Sequence, residues 1–315
     1  EVGMRPTRLF DTELGGRLVG LPRVGLAAVV EHYLGLTLAK EHSAVDWSTR
    51  PLPEPWLRYA ALDVEVLVQV RDLMAQDLAT QDKTQWAQQE FEALTRFTGP
   101  PVRLEQWRRT SGLHKVRNRP AAAMVRGLWQ TRDAIAVARD IAPGRILPDA
   151  ALVDLATRAP KNDADIQNGA ARVSRSVRRN QQEWLAALER ARQLPDADLP
   201  ALTVRSDGPP PARAWADRDP VAAPRLARAR TVLGQFAQAR NIPIENVLSP
   251  DAIRRVLWSP PTDSTIETVA DALLALGARQ WQVDIVCPIL EEVINRTVET
   301  TVEVTDQEHC QVTDE

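Results

Sequence analysis

The chain has 315 residues, 44% of them hydrophobic and 26% charged. That is ordinary globular composition for two or three domains, and it excludes both a single small module and wholesale disorder. No apolar run can cross about 30 Å of hydrocarbon, so no transmembrane helix is predicted. With only Cys287 and Cys310 and no secretory signal, the sequence points to a reducing cytoplasm without a disulfide framework. The formal net charge of −3 hides an uneven distribution: residues 103–145 carry ten Lys or Arg against three Asp or Glu, whereas residues 299–315 carry six acids and no Lys or Arg. Net charge alone therefore does not exclude a nucleic-acid partner, because the basic middle and the acidic tail are separate objects.

In chain order, Thr7 to Phe10 reads as a short strand candidate. Asp11 follows as a helix cap whose carboxylate can accept the free N–H groups of the first turn. Val24 to Leu34 is a second amphipathic helix, closed by Gly35. The stretch Asp46-Trp47-Ser48-Thr49-Arg50-Pro51-Leu52-Pro53 is a loop stiffened by two prolines. From Glu54 to Asp77 the apolar residues Trp56, Leu57, Ala60, Val64, Leu67, Val70, Leu73 and Met74 repeat with the period of one long helix. Everything to about residue 98 is thus expected to be helical, with at most one strand.

Gly99-Pro100-Pro101 and the proline-rich stretch Leu199 to Pro211 read as linkers. Two all-helical blocks lie between and after them, and they resemble each other. Arg139-Asp140-Ile141 followed by Ile146-Leu147-Pro148-Asp149 aligns with Arg240-Asn241-Ile242 followed by Val247-Leu248-Ser249-Pro250-Asp251, at an offset of 101 residues that becomes 102 through one insertion. Each copy has a helix, a tight turn and a Leu before the next helix start, as expected of a duplicated bundle. Beyond Arg296 the tail is polar and acidic and is expected to be disordered.

Within the long helix, Tyr59 and Asp63 stand four residues apart on one face. A carboxylate there could hold a metal ion while the phenol orients a water, although Tyr-x-x-x-Asp is also common by chance. The string Asp46-Trp47-Ser48-Thr49-Arg50-Pro51-Leu52 followed by Tyr59-Ala60-Ala61-Leu62-Asp63-Val64 resembles the third motif of ribonuclease D and its relatives, 3′–5′ exonucleases with four acidic metal ligands and a tyrosine. The paired helical blocks resemble the two helicase-and-RNase-D C-terminal (HRDC) domains that follow the nuclease domain. The resemblance implies a mainly α chain, in which a C-terminal remnant of an RNase H-like α/β exonuclease domain precedes two all-helical HRDC bundles. The implied boundaries are residues 1–98 for the exonuclease part, 99–119 for a basic linker, 120–197 for the first HRDC domain, 198–218 for a proline-rich linker, 219–296 for the second HRDC domain and 297–315 for the acidic tail.

The resemblance further implies a site with two magnesium or manganese ions acting on RNA 3′ ends, tRNA precursors among them, with DNA as an alternative. Tyr59 and Asp63 are its catalytic residues and Asp63 its metal ligand. The family's first two motifs, an Asp-x-Glu on a strand and an Asp on a helix, should precede Leu9, so the chain is expected to lack its amino-terminal part and to be inactive alone. Asp11-Thr12-Glu13 satisfies Asp-x-Glu, but it lies too close to Tyr59 and enters a helix, so Asp11 reads as a cap and Glu13 as a solvated first-turn acid. On the nuclease reading, removal of the sheet leaves residues 1–98 the least stable part.

Arg108, Arg109, Lys115, Arg117 and Arg119 form a basic stretch that either tracks RNA phosphates or serves as a docked linker. Arg172, Arg175, Arg178 and Arg179 read as solvated surface. Trp129, Trp184, Trp258 and Trp281 are placed in cores, and Trp107 is the base-stacking candidate. No zinc spacing, Walker loop, dinucleotide fingerprint or esterase elbow occurs. Two other function classes remain: a nucleic-acid-binding module without catalysis, and a protein-interaction scaffold.

Overall fold

The computed structural model describes residues 3, 6–38, 42, 44–99, 105–167, 175–203 and 208–311, with the side chains of residues 175–176 and of those beyond 296 outside the description. The chain forms two compact units, one of residues 1–98 together with 206–315 and the other of residues 99–205. Both are helical, as expected of a mainly α chain, and no strand occurs among the described residues. Among these residues no helix is long and apolar enough to cross a membrane.

The first segment runs through α1 (Thr12–Val19), α2 (Leu26–Leu34), α3 (Glu54–Glu65), α4 (Leu67–Thr80) and α5 (Thr84–Thr95). Asp11 caps α1 as expected, its Oδ1 accepting hydrogen bonds from the Glu13 and Leu14 amides at 2.8 and 3.0 Å. Gly20 and Gly35 close α1 and α2 in the left-handed conformation, at φ 84° and 66°, which costs a residue without Cβ little. Residues Thr7 to Phe10, the strand candidate, are irregular; no second strand is present among the described residues to satisfy their backbone groups by pairing. The single long helix expected from Glu54 is two helices that meet at Val66. The break falls among Val64, Val66 and Val68, whose β-branched side chains are stiff and mildly unfavourable in a helix. Leu18, Val29, Val30, Val70 and Met74 are buried, each contributing about 1.5–3 kcal/mol of apolar transfer.

In the unit of residues 99–205, the basic stretch folds into two short 3-10 turns, Gln106–Arg109 and Leu113–Lys115. Then come α6 (Arg119–Arg139), α7 (Pro143–Ile146), α8 (Asp149–Arg158), α9 (Asp163–Gln167), α10 (Arg175–Arg179) and α11 (Gln181–Arg192). Leu128, Leu147, Leu152, Trp184 and Leu188 form the centre of its core, where the Trp184 indole N–H donates to Val177 O at 3.1 Å. Gly127 lets α6 approach α11 closely, since a Cβ there would lie 3.3 Å from Ala187 O. Arg132 is buried and donates to Leu147 O at 3.1 Å and to Asp149 Oδ1 at 2.6 Å, while Asp149 Oδ2 accepts from the Ser111 amide at 2.8 Å. Burial works against the Asp149 charge, but the bonds from Arg132 and Ser111 and the Arg132 charge prevail and hold its carboxyl below the ordinary range.

The chain returns to the first unit with α12 (Trp215–Arg218), α13 (Ala222–Ala239), α14 (Ile244–Val247), α15 (Pro250–Trp258), α16 (Ile266–Ala275) and α17 (Gln280–Gln311). The internal repeat is visible in local geometry. Asp140 and Asn241 both turn left-handed, at φ 50° and 51°, and the Ile141 and Ile242 amides donate back to Ala136 O and Ala237 O, both at 3.0 Å. Helices α8 and α15 begin at residues 149 and 250, so the offset stays at 101 and the expected insertion is not needed. Helix α17 continues through residues 297–311, where a disordered tail is expected. Extension from a packed stem adds one bond per residue and needs no new nucleus.

The two segments of this unit share one core. Leu18, Val29, Val70, Met74 and Phe91 cluster with Trp215, Leu233, Ile253, Leu273 and Leu290. Residues 1–98 are therefore not left without a partner; the second helical block supplies one. Lys83, only 2% exposed, ties the segments through its ammonium group, which donates to Leu18 O at 2.6 Å, Gln81 Oε1 at 2.7 Å and Arg240 O at 2.6 Å. Three carbonyl acceptors match the three N–H bonds of an ammonium. Nearby, the left-handed Gly20 packs so tightly on Asn241 that a Cβ would collide with its backbone and side chain. Trp281 donates its indole N–H to the buried Glu90 carboxylate at 3.0 Å and stacks on Trp86 at 4.7 Å, and the Arg240 guanidinium lies 4.9 Å from the Trp86 ring centre.

Lys83→Met should cost about 2–4 kcal/mol in urea unfolding, because it leaves two buried backbone carbonyls unsatisfied. Burial, reinforced by Arg240 and partly opposed by Asp77, pulls the Lys83 pKa from the ordinary 10.5 to about 8. Between those values the unfolded chain binds more protons, so Lys83 contributes rising stability as pH climbs from about 8 to 10.5. A pH series on wild type and Lys83→Met checks this: the gap between them should widen across that window, and a constant gap would sink the assignment. Gly20→Ala should lower the melting temperature more than Gly35→Ala does, since a Cβ at Gly35 meets open space and only Gly20 adds a collision to the strain of positive φ.

Candidate active site and nucleic-acid interface

Helix α3 begins after Pro53, with Glu54 at its first position and Pro55 at its second, where the missing proline N–H costs nothing. The 3.6-residue period then puts Trp56, Tyr59 and Asp63 on one side. The preceding loop is folded by its own polar groups. Asp46 Oδ1 accepts from the Ser48 amide at 3.1 Å and the Ser48 hydroxyl at 2.6 Å, the Trp47 indole N–H donates to His42 O at 3.2 Å, and Arg50 donates to Trp47 O at 2.9 Å. This places four rings together. Trp47 lies 5.6 Å from Trp56 and 6.2 Å from Tyr59, and His42 meets Tyr59 edge-on at 5.9 Å.

Tyr59 and Asp63 are both half-buried. Among the described residues no hydrogen bond or ion pair engages the Tyr59 hydroxyl or the Asp63 carboxylate. Helix α3 buries no residue completely, and Leu57, Leu62 and Val64 are 46–60% exposed. Among the described residues no group of three or more His, Cys, Asp or Glu side chains is placed to hold a metal ion. Asp63 can thus supply one hard oxygen ligand, and a divalent ion that prefers about six needs others. Asp11 is occupied as a cap, and Glu13 pairs with Arg17 at 2.7 Å.

The basic stretch divides into two groups. Arg108 pairs with Glu105 at 2.6 Å, donates to Ala201 O at 2.8 Å and lies 4.3 Å from the Trp107 ring centre. Arg119 donates to Asp196 O and Leu199 O, both at 2.7 Å. These two side chains hold residues 196–201 against their own unit. Arg109, Lys115 and Arg117 are exposed. Trp107, expected as a stacking platform, is instead 3% exposed, because the 3-10 turn lays its ring into the core. Trp184 and Trp281 are core residues as expected, and Trp129 and Trp258 pack partly buried against the cores. Arg178 and Arg179 are exposed, while Arg172 and the Arg175 side chain lie outside the described residues. Sequence reasoning missed the rings around Tyr59, although Trp47 and Trp56 flank the proline loop, and it missed the buried Lys83 and Glu90, which carry no periodic signal.

Residues 1–79 match the family described as 3′–5′ exonuclease, residues 121–188 the HRDC domain, and residues 208–294 the 3′ to 5′ exonuclease C-terminal domain. One block therefore matches HRDC, and the second matches a different description. A ribonuclease D of Shewanella sp. (strain ANA-3) is 34% identical over 165 residues, 51% of this chain and 42% of that protein. The crystal structure of a protein from Bifidobacterium adolescentis is 38% identical, with a TM-score of 0.82 over 93% of this chain and 74% of that one. Escherichia coli RNase D, described as an exoribonuclease involved in structured RNA processing, shares the fold at 21% identity, with a TM-score of 0.61 over 92% of this chain and 74% of that one. The chain spans less than half the length of its Shewanella relative. Matches to exonuclease, HRDC and exonuclease C-terminal descriptions follow one another along this sequence, and over half of its length the chain is similar to a ribonuclease D.

Proposed function

We propose that this chain is part of a 3′–5′ exoribonuclease that shortens structured RNA, tRNA precursors included, in the cytoplasm with magnesium or manganese. The observation that carries this reading is the Tyr59–Asp63 pair on one helix face, with the Tyr59 ring packed against His42 and Trp47 and with neither polar group engaged by a hydrogen bond or ion pair among the described residues. Bound ions would activate water and stabilise the leaving oxygen. Asp63 holds its share of them, and Tyr59 presents its hydroxyl to the attacking water. One carboxylate is too small a donor set for two ions, so the remaining ligands come from beyond the described residues that surround Asp63. The second helical block is then a diverged HRDC copy that has become a wall of the nuclease unit, a reading supported by the matched turns at Asp140 and Asn241.

The alternative, a nucleic-acid-binding module without catalysis, is favoured by two separate facts: Arg109, Lys115 and Arg117 are exposed, and among the described residues no group of acidic or His side chains is placed to hold a metal ion. The two readings part on metal. The chain has two tyrosines, so 3-fluorotyrosine gives one resonance for Tyr33 and one for Tyr59. Manganese should broaden the Tyr59 signal and spare Tyr33, and Asp63→Asn should abolish the effect; equal broadening of both would remove Asp63 from the metal site. With 5′-labelled RNA and magnesium or manganese, this chain should bind without shortening. Stepwise shortening that Asp63→Ala stops would reinstate Asp11 and Glu13 as ligands.

For the phosphate track, Lys115→Ala with Arg117→Ala should lower RNA affinity and reduce the slope of log affinity against log salt by about 1.4, with unchanged melting. Arg119→Ala should instead lower the melting temperature, at a cost of about 1–2 kcal/mol. Affinity that stays flat between about 50 and 200 mM salt would eliminate the phosphate role.

A further inference from the structure

A groove of about 500 Å³ runs between α6 and α11, within the unit of residues 99–205. Small residues, Gly127, Ala187 and Ala191 among them, form its floor, and each helix contributes an arginine: Arg126 of α6, half-buried, and Arg190 of α11, exposed. Gln130, also exposed, and Thr131 stand on the α6 side, and no carboxylate among the described residues lines the groove. The two guanidiniums are accessible and largely unspent. Arg126 Nη2 donates to Asp198 O at 3.1 Å, and Arg190 Nη2 reaches across to the Thr131 hydroxyl at a long 3.4 Å. Neither forms an ion pair among the described residues; the Glu105 carboxylate, which the Arg126 charge reaches, bonds Arg108 instead. Most N–H groups of each fork therefore have no protein acceptor.

Two positive charges that border one groove with no acid between them repel, and an anion in the groove offsets both. Guanidinium forks match phosphate oxygens, to which they can donate in pairs. We propose that this groove holds the phosphodiester backbone of a single-stranded RNA, with phosphate oxygens accepting from Arg126 and Arg190 and the sugar lying over the small-residue floor. An acidic peptide meets the same charge, but the place of the groove favours RNA. Arg126 bonds the carbonyl of residue 198, and Arg119 bonds those of residues 196 and 199, so the Arg126 end adjoins the start of α6, which the exposed Lys115 and Arg117 immediately precede. The inference rests on the RNA reading above and adds to it contacts on residues outside the Lys115–Arg117 track.

The test follows the fluorescence anisotropy of a 5′-fluorescein oligouridylate titrated with the full chain in EDTA, where no metal-dependent hydrolysis enters, at several salt concentrations between about 50 and 200 mM. Arg126→Gln and Arg190→Gln should each weaken binding at least about threefold and lower the slope of log affinity against log salt by about 0.7. Arg230→Gln, which removes the same charge from an exposed position on α13 in the other unit, should change neither. Ala134→Glu sets a negative charge in the groove from an exposed helix position and should weaken binding at least about threefold with unchanged melting, so the outcome survives an arginine variant that misfolds. Wild-type binding that all three groove variants leave intact would overturn the inference and spare the RNA reading, whereas a wild type that binds no RNA would end both. If RNA ignores the variants while an oligoglutamate peptide loses its affinity in them, the occupant is an acidic protein segment and the inference falls.

Discussion

The first unit depends on one ammonium group. Lys83 reaches the last turn of α1, a neighbouring glutamine and the end of α13, and it satisfies three carbonyl oxygens at 2.6–2.7 Å. A buried cation with neutral acceptors is an unusual joint, since burial opposes the charge and no carboxylate bonds it directly. The geometry answers with full saturation: each N–H has one acceptor and none is left over. Around this joint the left-handed Gly20 touches Asn241, and Trp86 lies between Trp281 and Arg240 as part of the same seam. Hydrophobic burial supplies most of the adhesion, and the directional bonds set the register of one segment on the other.

The two helical blocks carry the same corner and put it to different uses. In one, the turn at Asp140 closes a self-contained bundle whose buried Arg132 pairs with Asp149. In the other, the carbonyl just before the turn, on Arg240, accepts from Lys83. The second block also buries Arg225, which donates to Leu257 O at 2.8 Å, has no bonded carboxylate in the described structure and is shifted down by its burial despite the charge of Asp219. Matching corners thus serve different surroundings in the two blocks, which match different family descriptions.

Much of this was legible in the sequence because it is local. The Asp11 cap, the closing glycines, the repeated turn and the Tyr59–Asp63 face follow from backbone geometry and side-chain spacing within a few residues. What was not legible depends on partners far along the chain. Nothing near Lys83 in the sequence distinguishes it from a solvated lysine, and Arg108 and Arg119 look like free phosphate binders until residues 196–201 fold back on them. Trp107 sits beside two arginines, as a stacking residue would, yet a single 3-10 turn is enough to bury it. The cover that residues 1–98 find was hidden for the same reason: Leu18, Val29, Val70 and Met74 cluster with residues more than a hundred positions away. The stripe at Leu57, Leu62 and Val64 remains exposed beside the candidate site.

The order in which these contacts become possible during synthesis follows from the discontinuous unit. Lys83 bonds a carbonyl 157 residues downstream, and at about 5–20 residues per second the ribosome needs roughly 10–30 s to deliver it. Throughout that interval α1, α2 and α4 have emerged with their apolar faces uncovered, while residues 99–205, whose contacts are their own, can already close. The inner bundle is therefore born into a chain whose flanks are unfinished, and residues 1–98 gain their full cover only after α13 and α17 have left the ribosome.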